Sequence, residues 1–280
     1  MRRRTVLAGG LAALLSPAVG RARGPFRLGL TPVFLDNDAI VIARLRAALS
    51  EAMAEPVELV QRRTYQEITA TILDGSVDAA WICGYPYLQH QNSLALLGVP
   101  VWHDRPQYQS YLIARAGAPA GALADLQGGV HAFSDPDSNS GYLVTASDLA
   151  RMGESPETFF SRSIFTYGHR NVVRAVAGGL TTSGSVDGYV WETLAQVEPS
   201  LTAQTKVVAK SEWLGFPPFA ARADRMEDPA VRRFGTALRS LDQTEAGRAA
   251  LQLLFLDRVQ QPDAHLFDGI AARMALLTGG

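Results

Sequence analysis

What most constrains this chain is a regular alternation of short apolar strands with amphipathic helices. Phe26 to Leu30 alternates as a strand and meets Thr31-Pro32, after which Asn37 or Asp38 can cap a helix running to about Ala54. Val57 to Val60 is the next strand. Thr64 then starts a helix through Leu73 that Asp74-Gly75 ends, and Val77 to Cys83 reads as a buried strand. Pro86 to Gln91 reads as a short helix and Leu94 to Val99 as a further strand. Such alternation predicts an α/β fold with a largely parallel sheet.

The second half contains a partial repeat of the first. Gly75-Ser76-Val77-Asp78 follows one helix and precedes an apolar strand, and Gly184-Ser185-Val186-Asp187 stands in a similar setting. The recurrence predicts two lobes of similar construction. Tyr108 to Ala114 reads as an extended crossing into the second lobe, and the chain is expected to cross back near Pro217-Pro218-Phe219-Ala220-Ala221. Lobe 1 is therefore expected over 25–110, lobe 2 over 111–219, and a return to lobe 1 with C-terminal helices over 220–280. The helices from about Pro229 are expected to pack on the first lobe.

Two such lobes leave a cleft facing the carboxyl ends of the strands. Its rim is expected to comprise Thr31 to Asn37, Thr64-Tyr65, Cys83 to Tyr87, Tyr108, Ser134 to Gly141, and the region around His169 and Tyr189. The segment Ser134-Asp135-Pro136-Asp137-Ser138-Asn139-Ser140-Gly141-Tyr142 places short polar side chains between a strand end and a helical run to Ala150. Unpaired N–H groups at a helix start carry partial positive charge and bind anions. The same residue types also serve as ordinary helix caps and turns, so this segment alone leaves both readings open.

The amino terminus bears on compartment. Arg2-Arg3-Arg4 precedes an apolar run from Leu7 to Leu15, then Pro17 and small residues, the pattern of a bacterial export signal over residues 1–24. Arg3-Arg4-Thr5-Val6-Leu7 fits a twin-arginine signal, although ordinary secretory signals also place basic residues there. The run is short for a membrane anchor, so a periplasmic location without membrane insertion after cleavage is expected. Beyond residue 24 the chain holds 21 basic and 27 acidic side chains, which argues against nucleic acid. Lys206 and Lys210 are its only lysines and no phosphate-binding G-x-x-x-x-G-K motif occurs, which argues against a nucleotide triphosphatase.

Catalysis finds little support. There is no G-x-S-x-G, the five histidines are dispersed, and the single Cys83 has no partner motif. Asp78 and Asp187 each stand beside a turn, where capping or backbone bonding is expected rather than acid–base work. No enzyme activity, metal or cofactor is expected.

Several strings occur together in order: Leu28-Gly29-Leu30-Thr31-Pro32-Val33, Gly75-Ser76-Val77-Asp78-Ala79-Ala80-Trp81, Tyr108, Asp125-Leu126-Gln127-Gly128, Ser134-Asp135-Pro136, Ser138-Asn139-Ser140-Gly141, Gly168-His169 and Phe216-Pro217-Pro218-Phe219. In these the chain resembles the periplasmic phosphate/phosphite/phosphonate-binding proteins (PhnD-like), the substrate-binding components of ABC importers. The resemblance implies a type II periplasmic binding protein fold, two lobes joined by two extended hinge crossings, with a small oxyanion as ligand and an ABC permease as partner. In that family a Ser-Thr-Ser-Gly turn, two tyrosines and a histidine bind the oxyanion. Carried over, these are Ser138, Asn139, Ser140, Tyr65, Tyr108 and His169, the histidine adding a charge-assisted bond when protonated. Asn139 departs from the family's Thr.

Cys83, at the end of a strand and hence on the expected rim, is a further ligand-binding candidate. Certain relatives resemble sensors that hold arsenite or similar oxyanions through one cysteine and present the bound form to a membrane histidine kinase. That is the alternative to transport, and thiolate softness is its chemical basis.

Overall fold

The computed structural model describes residues 24–31 and 39–278. The expected leader, apart from Gly24, residues 32–37 of the expected rim and the candidate helix caps Asn37 and Asp38 lie outside the described residues. The first half runs β1 (Phe26–Leu30), α1 (Ala39–Met53), β2 (Val57–Gln61), α2 (Tyr65–Leu73), β3 (Ala79–Trp81), α3 (Gly84–Gln89) and β4 (Leu94–Val101). A short β5 (Gln107–Tyr108) leads to β6 (Ser110–Arg115), β7 (Val130–Phe133), α4 (Val144–Arg151), α5 (Pro156–Phe159), β8 (Arg162–Phe165), α6 (His169–Ala177), β9 (Ser183–Asp187), α7 (Gly188–Val197), α8 (Pro199–Thr202) and β10 (Thr205–Lys210). The chain returns through β11 (Leu214–Gly215) to β12 (Phe219–Arg222), α9 (Pro229–Arg239), α10 (Glu245–Leu253), β13 (Arg258–Gln260) and α11 (Asp268–Thr278).

Local chemistry sets these boundaries. Thr64 Oγ1 accepts the Glu67 amide at 3.1 Å while the Glu67 carboxylate accepts the Thr64 amide at 3.3 Å, a reciprocal cap that starts α2 at Tyr65. Gly75, at φ +78, ends that helix in a conformation that costs a side chain dearly. Along α1 the buried residues are Val41, Leu45, Ala48, Leu49 and Met53, a stripe at helical spacing. The ring of Phe26 stacks on Phe234 of α9 at 4.5 Å, tying the first strand to the return of the chain.

Two sheets form, each the base of one lobe. The first has the order β13-β4-β12-β3-β1-β2 and the second β10-β6-β9-β7-β8. Most strands of each sheet run the same way, as the alternation predicts: β1, β2, β3 and β4 in the first and β7, β8, β9 and β10 in the second. In the first lobe β1 pairs parallel with β2 and β3, but β12 runs antiparallel to β3 and β4. In the second lobe β7 pairs parallel with β8 and β9, but β6 runs antiparallel to β9 and β10. Of the strands that run the other way, β6 and β12 arrive from the other lobe and β13 is the edge strand beside β4. A strand entering from the cleft side runs against those that point toward it.

The two sheets thus share one plan, as the repeat suggested, yet the repeated string is not its carrier. Gly75 to Asp78 form the turn before β3, whereas Gly184 to Asp187 lie within β9 itself. The strings are out of phase by a strand length because the β9 backbone must also pair with β6 through Asp187. Between the sheets, β5 and β11 pair antiparallel, Tyr108 opposite Leu214 and Gln107 opposite Gly215.

Helices α9 and α10 pack on the first lobe, against β4 and α1, but α11 lies against α3 and α4 and so touches both lobes. Arg273 holds α11 to the second lobe. Its guanidinium is buried and donates to Glu212 Oε1 at 2.8 Å and Oε2 at 2.5 Å, to the Val144 carbonyl at 3.0 Å, to Ser147 Oγ at 2.7 Å and to Asp148 Oδ1 at 2.9 Å.

Candidate functional site

The turn after β7 is built by its own short side chains. Asp135 Oδ1 accepts the Asp137 amide at 2.9 Å, and Ser138 Oγ accepts the Gly141 amide at 3.0 Å. Residues Asn139–Leu143 then make a wide π-type turn that continues into α4, with the Leu143 amide on the Ser138 carbonyl at 3.0 Å. Gly141 is required there by space: a Cβ would lie 1.8 Å from Ser134 Oγ. Ser138, Asn139 and Ser140 are all buried. Ser138 acts as the cap, while Ser140 Oγ and Asn139 Oδ1 have no hydrogen-bond partner among the described residues.

Helix α2 presents Tyr65 to this turn from the opposing lobe. The Tyr65 amide donates to Asp135 Oδ2 at 3.1 Å, so the first turn of α2 is joined to the second lobe through its backbone. The Tyr65 hydroxyl lies 3.0 Å from His169 Nε2. His169 opens α6, and its Nδ1 accepts the backbone amide of Asp187 at 3.0 Å. A ring whose Nδ1 accepts carries its hydrogen on Nε2 when neutral. His169 therefore donates to the Tyr65 oxygen, and the Tyr65 hydrogen is left to point elsewhere.

Burial holds that arrangement in place. It pushes His169 down to about 3, so the ring stays neutral, which corrects the expectation of a protonated histidine contributing a charge. Burial raises Tyr65 well above its ordinary value, aided by Cys83, Asp135 and Asp187 nearby. Burial also pushes Asp187 up to about 7, against the Val190 and Tyr189 amides that favour its ionised form. Asp187 caps α7, its Oδ1 accepting the Val190 amide at 3.3 Å. The expected capping role is thus present, together with a position on the cavity wall that the sequence reading did not assign.

A small enclosed cavity lies between these groups. Thr31, Tyr65, Trp81, Ile82 and Cys83 line it from the first lobe, Ser140, His169 and Asp187 from the second, and Tyr108 and Pro217 from the connecting segments. Among the described residues, no Arg or Lys lines it. Thr31 Oγ1 donates to the Trp81 carbonyl at 2.6 Å and Trp81 Nε1 donates to the Pro217 carbonyl at 2.9 Å, so this wall is held by its own polar groups. A wider groove along α9, lined by Glu227, Arg232, Arg233 and Thr236, is open to solvent and holds none of the candidate residues.

Five of the seven candidates, Tyr65, Cys83, Tyr108, Ser140 and His169, line the cavity directly. Asn139 stands just behind, donating from Nδ2 to the Tyr108 hydroxyl at 2.9 Å and from its backbone amide to Cys83 Sγ at 3.3 Å. Ser138 supports the turn from beneath. Burial pushes the Cys83 thiol up to about 12, so it stays protonated. Tyr189, expected near the rim, instead donates its hydroxyl to the Leu254 carbonyl at 2.5 Å and packs on Trp102 and Phe216. Asp187, Trp81 and Pro217 went unassigned. Their position after or beside a strand end was the signal available for each.

A family model described as ABC transporter, phosphonate, periplasmic substrate-binding protein matches residues 29–267. The phosphate-import protein PhnD of Mycolicibacterium smegmatis is 28% identical over 186 residues, which is 62% of this chain and 58% of that protein. The match thus spans somewhat over half the length of that relative. Among solved structures, a binding-protein component of an ABC phosphonate transporter from Pseudomonas aeruginosa superposes with TM-score 0.82 at 19% identity, over 91% of this chain and 87% of the other. PhnD1 from Prochlorococcus marinus, solved in complex with methylphosphonate, superposes with TM-score 0.79 at 14% identity, over 90% and 98%. At these identities the two structures show a shared fold. Among the described residues no helix is long and apolar enough to cross a membrane.

Proposed function

The chain belongs to the periplasmic substrate-binding proteins of phosphonate ABC transporters, and from that premise we propose that it captures a small oxyanion of the phosphonate, phosphite or phosphate class between its lobes and delivers it to an ABC importer. The observation that carries this reading is the pairing of two hydroxyls on one cavity. Ser140 offers a buried hydroxyl without a hydrogen-bond partner among the described residues, and Tyr65 offers one whose hydrogen His169 leaves free. Such donors, held in advance by their own hydrogen bonds, stabilise an anion without a fixed cation. Asp187 in its neutral form adds a third donor.

In this reading lobe 1 spans 25–110, lobe 2 spans 111–219, and the β5–β11 pair marks the two hinge crossings. Ligand bridging Ser140 and Tyr65 favours the closed form, and a permease then reads the closed surface. We read the protein as exported, periplasmic and non-catalytic. The arsenite-sensing alternative draws less support, because a thiol held near 12 is far from the thiolate that binds soft metalloids.

Calorimetry of the purified protein against methylphosphonate, phosphite, phosphate, sulfate and arsenite tests the proposal. Saturable heat with one of the phosphorus oxyanions supports it. Silence with all three removes the ligand class.

A further inference from the structure

Cys83 bears on which oxyanion is preferred, and the inference rests on the oxyanion reading above. Donors at the start of a helix are ordinarily the backbone amides that have no partner within it. Here the turn's donors are largely engaged within the protein. The Gly141 amide goes to Ser138 Oγ, the Asn139 side-chain amide to the Tyr108 hydroxyl, and the Asn139 backbone amide to Cys83 Sγ across the cleft. The buried Ser140 hydroxyl remains unpartnered on the cavity wall. Cys83 lines the same cavity as Trp81, Ile82 and Pro217, and because the Trp81 indole N–H is already engaged by the Pro217 carbonyl these side chains have little capacity to donate.

We infer that Cys83 is a specificity determinant: by occupying the Asn139 amide with a soft, poorly donating sulfur, it favours an oxyanion carrying a methyl or hydrogen substituent over one carrying four oxygens. A phosphonate or phosphite turns three oxygens toward Ser140, Tyr65 and Asp187 and its fourth substituent toward the sulfur and the indole. Phosphate must turn an oxygen toward that same surface. A charged acceptor without a donor loses hydration it cannot replace. The thiol's neutrality keeps the wall uncharged, so the effect arises from missing donors and not from repulsion.

The ratio of phosphate to methylphosphonate dissociation constants tests this, measured by calorimetry in the wild type, Cys83→Ser and Cys83→Ala, with thermal melts confirming that each is folded. Serine supplies a true donor at that point, and alanine releases the Asn139 amide. The expected wild-type ratio is above about tenfold, falling by about tenfold or more in the serine variant and in the same direction in the alanine variant. The alanine variant, with a smaller side chain in the same space, decides the matter if the serine variant does not fold. A wild-type ratio near one, or a ratio that stays within about threefold in the folded variants, overturns the role of Cys83 and leaves the oxyanion reading standing. Absence of binding by wild type to phosphate, phosphite and methylphosphonate alike would instead remove the reading on which the inference rests.

Discussion

His169 Nε2 lies 3.0 Å from the Tyr65 hydroxyl across the two lobes, and the hydrogen in that bond belongs to the histidine, because its Nδ1 already accepts the Asp187 amide. The tyrosine is thereby turned into a donor with a defined direction. A residue from one lobe thus sets the proton of a residue on the other.

If that is its role, Tyr65→Phe and His169→Phe should act alike. The first removes the donor and the second releases its direction. Each is expected to weaken oxyanion binding by about 1.5–3 kcal/mol, the range for a hydrogen bond to a charged group. Calorimetry of the two single variants and the double variant checks this, and fully additive losses would count against a shared role.

Ser138 and Ser140 should separate cleanly. Ser140→Ala removes an unpartnered hydroxyl on the cavity and is expected to lower affinity by about 1.5–3 kcal/mol while leaving thermal stability nearly unchanged. Ser138→Ala removes the cap on the Gly141 amide and is expected to destabilise the fold by about 1 kcal/mol. Melting curves beside binding isotherms distinguish the two outcomes.

Asp187 gives binding a pH dependence of definite sign. Burial holds its carboxyl near 7, so below that pH it is a neutral donor toward an anion and above it a second negative charge. Affinity should therefore fall as pH rises through about 7, beyond whatever the ligand's own ionisation contributes. Isotherms at pH 6 and pH 8 for the wild type and Asp187→Asn isolate the effect, which the asparagine variant should lack.

The second lobe carries an acid-sensitive core. His131 is buried with its ring nitrogens 2.8 Å from Ser183 Oγ and Ser185 Oγ, and burial pushes it down to about 3. The unfolded chain binds a proton at this residue below about 6.5 and the folded one does not until about 3. Stability due to this group is thus complete above about 6.5 and is lost as pH falls, by about 1 kcal/mol per pH unit. Asp187, raised by burial, works in the opposite direction between its unfolded value and 7 and offsets part of the loss. Comparing denaturation of the wild type with His131→Gln at pH 7 and pH 5 removes that common background. The stability gap between them should narrow in acid.

Arg273 fastens the last helix to the second lobe. Arg273→Met leaves the carboxylates of Glu212 and Asp148 without their shared partner and is expected to cost about 2–4 kcal/mol, less than for a fully buried pair because both carboxylates are partly exposed. Chemical denaturation measures it directly. A loss below about 1 kcal/mol would show that the guanidinium contributes little beyond packing.

Local features of the site were legible in sequence. Thr64 and Glu67 announce the start of α2 by their spacing, which puts Tyr65 at a helix start, and the short polar side chains of 134–142 announce a turn that binds or caps. What was not legible depends on contacts between distant parts of the chain. Nothing near Cys83 indicates that its sulfur accepts an amide 56 residues away. Asp187 looked like its counterpart Asp78, but Asp78 accepts the Arg27 amide before β3 while Asp187 ends β9 and faces the cavity.

By itself the sequence determined the elements and the residue types at the strand ends, because these follow from periodicity, capping and turn chemistry acting over a few residues. Only the tertiary structure decided the direction of the crossing strands, the neutrality of His169, the pairing of its ring with the Tyr65 hydroxyl and the inward position of Asp187. Those depend on burial and on partners from the opposite lobe, which exist only once the two sheets face each other.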